Sequence, residues 1–391
     1  PSMKREQKQN LSIFVGAVVV FAAMVWGYQA YSARQVANAA WLELDGGLYA
    51  SAVTRDGVTS LVPGDQLYES GIDEDGIPAL TNPKYASVLA SDAVIADDLG
   101  GIDLEINGEH RFYPIQVLNW HYTVNDSWGG KDIVVTYCPL CGTPVVYERQ
   151  IDGKTLTFSV TGKVYNNNTV LKDNETGSLW VQGLGTAVQG EMISKTLTVI
   201  PSTFMSWKDW KDAYPSGSVL STDTGFTRDY TRHPYGGYDT SMGVYFPNNH
   251  QDPNFGSKWI VYGVSENGEG IGFSETVLKG YGLVTEELNS MQVIAVYDFD
   301  LGIIRVFSAL TEGDLVTNFS YDFAKRRLTD DRTGSVWNEE GLAISGPLKG
   351  EQLNELQTTR GYWFCLASLH PTWRANISVT PVTEGEALQV E

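Results

Sequence analysis

The residues with the clearest chemical potential are the two cysteines of Tyr137-Cys-Pro-Leu-Cys-Gly-Thr143. The segment follows an apolar, β-branched stretch, and its Cys-Pro-x-Cys-Gly form is typical of a metal knuckle. Proline fixes the turn, glycine permits a positive φ, and the backbone N–H groups after the first cysteine can point at the sulfurs. We expect Cys138 and Cys141 to bind one soft ion, either copper as Cu(I) or zinc.

Two thiolates cannot complete a tetrahedral site, so further ligands must come from elsewhere in the chain. No second Cys-x-x-Cys is present, which excludes an ordinary zinc ribbon and leaves Cys365 and the histidines as soft candidates. His121 is the first candidate, because it precedes Cys138 on a helix that feeds the same region. His370, close to Cys365, is the second. The alternatives are structural: a core histidine bonded to a buried carbonyl for His121, and a helix-terminal residue for His370.

The same cysteine pair could instead act as a dithiol/disulfide couple or form an inert pair. A thioredoxin-like motif requires a helix directly after its first cysteine, and Thr143-Pro144 does not begin a helix, so the metal interpretation is preferred. Haem attachment is excluded because Gly142, not histidine, follows the second cysteine. The third cysteine, Cys365, lies among large apolar residues and is predicted to be a small buried hydrophobe. With an odd number of cysteines, at least one thiol is free, metal-bound or paired with another chain.

The N-terminal segment predicts a membrane anchor. Residues 9–33 carry no charge, and about 20 apolar residues suffice to cross a bilayer. Lys4, Arg5 and Lys8 precede the segment, so the positive-inside rule places the N-terminus in the cytoplasm and the rest of the chain in the periplasm or outside the cell. Two alternatives remain open: a signal peptide cleaved near Ala37-Asn-Ala39, or an assembly helix of a pilin-like filament.

Composition excludes one large class of partner. The chain has 391 residues, and 27 Lys and Arg against 47 Asp and Glu leave a net charge of −20, so no general phosphate-binding surface for nucleic acid is expected. No phosphate loop or nucleotide fingerprint is present, and we therefore expect no nucleotide cofactor. The 40 glycines and 12% aromatic residues favour tight turns and strands. The predicted fold class is mainly β with short helices (α+β).

The soluble part of the chain repeats itself. Asp173-Asn-Glu-Thr-Gly-Ser-Leu-Trp180 reappears as Asp330-Asp-Arg-Thr-Gly-Ser-Val-Trp337, and further matches follow in the same order. We infer two homologous β-rich modules that arose by duplication. The predicted divisions are a cytoplasmic tail and transmembrane helix (1–34), a linker and lead-in (35–100), a first module with the Cys-x-x-Cys (101–217), a connector (218–257), and a second module without the pair (258–391).

Local patterns predict elements around these motifs. Residues 115–122 and 206–213 read as short amphipathic helices, the second capped by Ser206, and residues 133–137 read as a buried strand. In the second module Tyr297-Asp-Phe-Asp-Leu-Gly302 replaces the cysteine turn. We expect the two carboxylates of that replacement, Asp298 and Asp300, to lie on a solvated turn.

The chain resembles the family catalogued as domain of unknown function 3179. The segments that carry this resemblance are Asp75-Gly-Ile-Pro-Ala-Leu80, Tyr113-Pro-Ile-Gln-Val-Leu-Asn-Trp-His121, Val124-Asn-Asp126, Tyr137–Thr143, Asp152–Phe158, Tyr165-Asn-Asn-Asn168, Ser178-Leu-Trp180, Leu220–Gly225 and Arg228-Asp-Tyr230. The resemblance implies an extracytoplasmic protein of bacteria or archaea and brings no established activity. Family members tend to carry Glu after Asn-Trp-His, where this chain has Tyr122, so His121 is the residue that transfers.

These observations predict a membrane-anchored extracytoplasmic metal-binding accessory protein, or a subunit of a membrane assembly, holding one copper or zinc ion. The expected partners are membrane lipid and other protein chains of that assembly. A first alternative is a thiol-disulfide oxidoreductase that uses Cys138 and Cys141. A second alternative is a structural subunit of a filament or large membrane complex.

Overall fold

The computed structural model describes residues 39–43, 49–55, 57–311, 314–315 and 318–376, and these form a mainly β protein with short helices, as predicted. The predicted cytoplasmic tail and transmembrane helix lie outside the described residues. Within the described part of the chain, none of the helices has the length and apolar composition needed to cross a membrane.

The lead-in (35–100) contributes strands to the sheets of the first module, both at the edges of these sheets and inside one of them. Its elements are β1 (Ala39–Glu43), β2 (Tyr49–Arg55), β3 (Val58–Ser60), a 3₁₀ turn (Gly64–Gln66), β4 (Tyr68–Glu69), β5 (Leu80–Thr81), β6 (Tyr85–Ser87) and α1 (Val88–Ser91). The Ser87 hydroxyl caps α1 by accepting a hydrogen bond from the Ala90 N–H.

The first module consists of three main sheets and two helices. Its elements are β7 (Gly100–Ile106), β8 (Glu109–Pro114), α2 (Ile115–His121), β9 (Thr123–Trp128), β10 (Lys131–Cys138), β11 (Thr143–Glu148), β12 (Gln150–Ile151), β13 (Lys154–Thr155), β14 (Phe158–Tyr165), β15 (Asn168–Asp173), β16 (Leu179–Val181), β17 (Thr186–Gln189), β18 (Val199–Ile200), β19 (Thr203–Ser206), α3 (Trp207–Ala213) and β20 (Ser218–Leu220). The sheets have the strand orders β1-β2-β3-β17-β16-β15-β14-β4, β18-β11-β10-β9-β5 and β19-β7-β8-β20-β6. Their strands are antiparallel except for the parallel pairs β5–β9 and β8–β20.

The second module follows the same order of elements. These are β21 (Ile260–Glu266), β22 (Glu269–Ser274), α4 (Glu275–Tyr281), β23 (Leu283–Leu288), β24 (Met291–Asp298), β25 (Ile303–Ser308), β26 (Leu310–Thr311), β27 (Asp314–Leu315), β28 (Phe319–Asp322), β29 (Arg327–Asp330), β30 (Val336–Trp337), β31 (Ala343–Ser345), β32 (Asn354–Glu355), β33 (Thr359–Tyr362), α5 (Trp363–Leu369) and β34 (Trp373–Ala375). Its main sheets are β33-β21-β22-β34, β23-β24-β25-β32 and β28-β29-β30-β31.

The elements predicted from local pattern are present. Helix α2 covers all but the last residue of the predicted segment, and β10 contains the predicted buried strand. Helix α3 begins at Trp207, and the Ser206 hydroxyl accepts a hydrogen bond from the Asp209 N–H at 3.1 Å, which confirms the predicted cap. Between β20 and β21 no helix or strand is present in residues 221–259, all of which the structure describes.

The repeated Asp…Trp motif makes the same contacts in both modules. The Asp173 carboxylate accepts a hydrogen bond from the indole N–H of Trp180 at 2.9 Å, and Asp330 accepts one from Trp337 at 3.0 Å. Both aspartates and both tryptophans are buried. In each module the hydrogen bond to the carboxylate thus connects a turn to the tryptophan ring that packs in the adjacent core.

Candidate functional site

The turn between β10 and β11 carries the first two cysteines. Strand β10 ends at Cys138, β11 begins at Thr143, and the two residues pair across the ladder. The Cys141 N–H donates to the Cys138 carbonyl at 3.2 Å, and Gly142 has φ 60°, which glycine adopts without strain. The backbone N–H groups of Leu140 and Cys141 face the Cys138 sulfur. The turn therefore has the predicted knuckle geometry around its first sulfur.

Cys141 is not available as a thiol, because it forms a disulfide with Cys365 across a sequence separation of 224 residues. The prediction that Cys365 is merely a small buried hydrophobe is thus wrong: it is buried, but it is covalently bonded. It lies in α5 of the second module, so the disulfide joins the two modules. The adjacent contact is a backbone hydrogen bond from the Tyr362 N–H to the Cys141 carbonyl at 2.7 Å.

Cys138 is the free, fully buried thiol of this cluster. Its sulfur donates to the Asn167 carbonyl at 3.5 Å and accepts a hydrogen bond from the Thr169 hydroxyl at 3.4 Å. Burial raises the pKa of the Cys138 thiol, and the hydrogen bonds from Thr169 and the turn only partly oppose that rise. At neutral pH the group is therefore a thiol, not a thiolate.

A turn of three asparagines forms the other side of the sulfur cluster. Asn166 and Asn167 connect β14 to β15 with φ values of 49° and 64°, a conformation that asparagine tolerates better than most residues. The Asn166 carbonyl oxygen lies 3.6 Å from the Cys365 sulfur and 4.0 Å from the Cys141 sulfur. Disulfide sulfurs carry no proton, so these are packing contacts. All three cysteine sulfurs of the chain therefore lie against one turn, and we call this group the sulfur site.

The connector (218–257) covers the sulfur site. The Asn167 side chain exchanges two hydrogen bonds with the backbone of Phe246, at 2.8 and 2.9 Å, and the Asn249 N–H donates to the Asn166 side chain at 2.9 Å. The Tyr238 hydroxyl donates to the Leu140 carbonyl at 3.0 Å. The connector is thus fastened to both turns that hold the sulfurs, and it excludes water from them.

Tyr122 lies between α2 and the sulfur site in a strained conformation. Its φ is 59°, in the left-handed region that costs a non-glycine residue free energy. Its hydroxyl is hydrogen-bonded to that of Tyr235 in the connector, and burial raises its pKa well above the ordinary value. Tyr122 therefore contributes to the cover over Cys138.

His121 faces away from the sulfurs, into the core. Its Nδ1 lies 2.7 Å from the Pro78 carbonyl oxygen and its Nε2 lies 2.7 Å from the Tyr230 hydroxyl. Nδ1 therefore carries the proton, and Nε2 accepts from the tyrosine. Burial lowers the pKa of His121, which keeps the ring neutral. Both nitrogens already have partners, as in the structural alternative considered for this residue.

His370 is the C-terminal cap of α5 and stacks on Trp373, with ring centroids 3.9 Å apart. Its Nε2 is buried without a hydrogen-bond partner, and burial lowers the pKa of the ring to about 4. The two predicted histidines are thus separate from the cysteines in their described contacts. Within the described residues, no group of three His, Cys, Asp or Glu side chains is arranged to hold a metal ion.

The turn of the second module buries one of its two carboxylates, so the expectation of a solvated pair is wrong for Asp298 and holds for Asp300. Asp298 is 3% exposed and accepts hydrogen bonds from the N–H groups of Asp300 and Leu301, both at 3.0 Å. Arg305 donates to it at 3.3 Å. Only Asp300 extends to the surface, where it pairs with Arg326. The Asp298 carboxylate is therefore held by the backbone of its own turn and by Arg305.

Sequence reasoning missed the Cys141–Cys365 pairing and the asparagine turn. Because the chain has three cysteines, one disulfide leaves one cysteine unpaired. The Tyr165-Asn-Asn-Asn168 run was a visible turn signal, since consecutive asparagines favour left-handed backbone. Neither signal says which sulfurs meet, because that depends on how the two modules pack.

The geometry defines a mainly β protein organised around a buried cysteine cluster. The family model described as "Protein of unknown function (DUF3179)" matches residues 74–373, and the chain belongs to this family. Searches of curated proteins and of solved structures found no match. Membership confirms the resemblance carried by the motifs, and the family description assigns no activity.

Proposed function

We propose that this protein is a thiol-disulfide exchange protein of the extracytoplasmic space, anchored by its N-terminal segment and acting on a dithiol partner protein. The observation that carries the proposal is the free thiol of Cys138 beside the Cys141–Cys365 disulfide. The three sulfurs share one buried cluster, so the chain holds both a nucleophile and its target.

The exchange step balances within the chain. The Cys138 thiolate attacks the Cys141 sulfur, the Cys141–Cys365 bond breaks, a Cys138–Cys141 bond forms, and Cys365 leaves as a thiolate that takes up the proton. No oxidant is consumed. Net electron transfer then requires a dithiol partner, which reduces the Cys138–Cys141 disulfide and is itself oxidised to a disulfide.

Burial controls this chemistry. Because the thiolate is the attacking species, the raised pKa of Cys138 slows exchange at neutral pH and makes it faster as pH rises. The connector must also detach from Asn166 and Asn167 before a partner thiol can reach the cluster. In this proposal the buried cysteines react with a partner protein only while the connector is detached from the asparagine turn.

The decisive experiment compares the full chain with Cys138→Ser and Cys365→Ser. Each is equilibrated with reduced and oxidised dithiothreitol, trapped with N-ethylmaleimide in denaturant, and its disulfides are mapped by peptide mass spectrometry. We expect wild type to show both pairings, Cys365→Ser to form Cys138–Cys141, and Cys138→Ser to keep Cys141–Cys365 alone. A Cys365→Ser chain that stays a dithiol under conditions that oxidise wild type would overturn the proposal.

A second candidate function, binding of one copper or zinc ion, is favoured by the convergence of three sulfurs on one turn. Once reduced, Cys138, Cys141 and Cys365 would supply three soft ligands. The test is metal content by mass spectrometry on reduced protein purified without affinity metals or chelators, beside Cys138→Ser/Cys141→Ser. About one ion per chain that is lost in the double variant supports this role. Reduced wild type without stoichiometric metal removes it.

We also infer that the two modules descend from one duplicated ancestor. The support is the shared order of two strands, a seven-residue helix and three more strands, together with the matching Asp…Trp contacts. In this view the first module kept a reactive turn and the second became a partner that supplies Cys365.

A further inference from the structure

A cleft of about 870 Å³ separates the two modules. Strands β7 and β19 form one wall, and β25, β32 and β33 form the other. The volume lies in the range of roughly 300 to 1,000 Å³ that is usual for small-molecule sites. Apolar side chains from both modules line it, including Ile102, Phe204, Ile303 and Leu356. The proposed thiol chemistry does not use this space.

Most charged groups in the walls of this cleft are already compensated. Arg305 pairs with Asp298 at 3.3 Å and with Glu355 at 3.1 Å. The Asp103 carboxylate lies 3.0 Å from the ring Nδ1 of His110. Because these groups pair with one another, their charges are largely compensated and contribute little to the binding of a ligand.

Besides the exposed Lys131, the cation of the lining that has no ion-pair partner among the described residues is Arg360. Its Nη1 donates to the Gly142 carbonyl at 2.8 Å, and its guanidinium lies over the Phe204 ring at 4.0 Å. Its Nε is buried without a hydrogen-bond partner. Among the residues that the structure describes, no carboxylate lies within ion-pair distance of it. A guanidinium has five N–H donors, and those of Arg360 that reach the Gly142 carbonyl and the Tyr262 hydroxyl leave part of this capacity for a ligand.

We propose that the cleft binds a small organic carboxylate, with the carboxylate on Arg360 and an apolar or aromatic body against Phe204 and the neighbouring apolar wall. A guanidinium without an ion-pair partner at contact distance matches the two oxygens of a carboxylate and also stacks on aromatic faces. The lining is mixed, and its apolar side chains, such as Phe204 and Leu356, give an organic anion contacts that inorganic phosphate cannot make. In a chain of net charge −20, an arginine without a carboxylate partner marks a local anion site.

The test is isothermal titration calorimetry on the full chain with phenylacetate and its neutral analogue phenylacetamide, each against a protein-free blank. We expect phenylacetate to bind at least tenfold more tightly than the amide. Arg360→Gln, which removes the charge but keeps much of the length, should abolish that preference. Arg374→Gln should bind as wild type does, because Arg374 pairs with Glu286 at 3.1 Å and does not line the cleft.

A second variant keeps the test independent of any folding defect in Arg360→Gln. Ser202 lines the cleft, and Ser202→Trp should fill part of it while leaving the arginine in place, so both probes should bind at least tenfold more weakly. Equal affinity for acid and amide, undiminished binding by Arg360→Gln, or no phenylacetate binding by wild type at millimolar concentration each overturns the proposal. Cys138→Ser should bind phenylacetate normally, which separates this site from the thiol chemistry.

Discussion

The turn after β10 and the turn after β24 place different chemistry on the same backbone. Each follows an eight-residue strand whose last residue is buried, Cys138 in one and Asp298 in the other. Each contains a glycine with positive φ, Gly142 or Gly302. In both turns the following N–H groups face the last side chain of the strand. The carboxylate is joined by Arg305, whereas the thiol lies beside the Cys141–Cys365 disulfide, where we propose that it reacts.

The comparison shows that the fold and the chemistry depend on different residues. The Asp…Trp contacts that hold each module together are present in both. The free thiol is present in the first module, and the second supplies Cys365 from α5. The disulfide thus links the two modules covalently beside the free thiol.

Removing the disulfide should give the largest loss of stability among these variants, because it removes the covalent link between the two modules. Cys365→Ser opens a covalent loop whose ends are 224 residues apart, and we expect it to lower the free energy of unfolding by about 2 to 5 kcal/mol. The measurement is urea unfolding monitored by tryptophan fluorescence. Cys138→Ser is the matched control, because it changes a sulfur in the same cluster and keeps the bond. Equal losses for the two variants would show that packing, not the cross-link, joins the modules.

The Asp…Trp contact tests whether the modules are equivalent in energy. Asp173→Ala and Asp330→Ala each leave a buried indole N–H unpaired, and we expect each to cost about 2 to 4 kcal/mol. The exposed neighbour Asp331→Ala should change stability by less than about 0.5 kcal/mol. Thermal unfolding of the three variants provides the comparison. A large loss in only one module would indicate that the other has come to rely on different contacts.

The same contact makes a prediction about pH for the second module. Burial would raise the pKa of Asp330, but hydrogen bonds from Trp337 and Thr333 outweigh burial and lower it below 3.8. A lowered carboxyl pKa gives stability that is present above the unfolded value and is lost as pH falls through the folded value. We therefore expect wild type to lose this contribution below about pH 4. Asp330→Asn should lack that part of the acid dependence.

The residues that follow α2 and α4 both have a positive φ, which is strained for a tyrosine and relaxed for a glycine. After α2 the left-handed residue is Tyr122, and after α4 it is Gly282 with φ 72°. A Cβ on Gly282 would lie 2.3 Å from the Tyr321 ring, so Gly282→Ala should cost about 2 kcal/mol. Gly280→Ala, in the same helix with open space around it, should be neutral or stabilising by up to about 1 kcal/mol. Chemical denaturation of both variants tests this, and a tolerated Gly282→Ala would mean that the ring moves freely.

Local signals predicted local structure well. The Ser206 cap, the helices and the buried strand follow from periodicity and capping, which act within one turn or strand. The partner of Cys141 could not be predicted in the same way, because it is 224 residues distant and depends on how α5 packs against the first module. For His121 the residue type was compatible with a ligand or a core role. The Pro78 carbonyl and the Tyr230 hydroxyl, brought near by folding, decide for the core.

The smallest predicted effect concerns the residue that caps the last helix of each module. Tyr214 ends α3 and His370 ends α5, with similar backbone angles, and each ring stacks on another aromatic ring. Burial lowers the pKa of His370 to about 4, so the folded state keeps the ring neutral. The unfolded chain binds a proton below about pH 6.5. Stability is therefore greatest above that pH and falls as pH drops from 6.5 toward 4.

His370→Tyr installs the residue of the first module and should remove this dependence. We expect wild type to lose roughly 1 to 2 kcal/mol from this group between pH 6.5 and pH 4.5, and the variant to lose correspondingly less. Unfolding in urea at several pH values measures the difference in slope. His233→Tyr, a change in the exposed part of the connector, is the control and should leave the slope unchanged. Identical slopes for wild type and His370→Tyr would mean that the ring binds its proton in the folded state as easily as in the unfolded one.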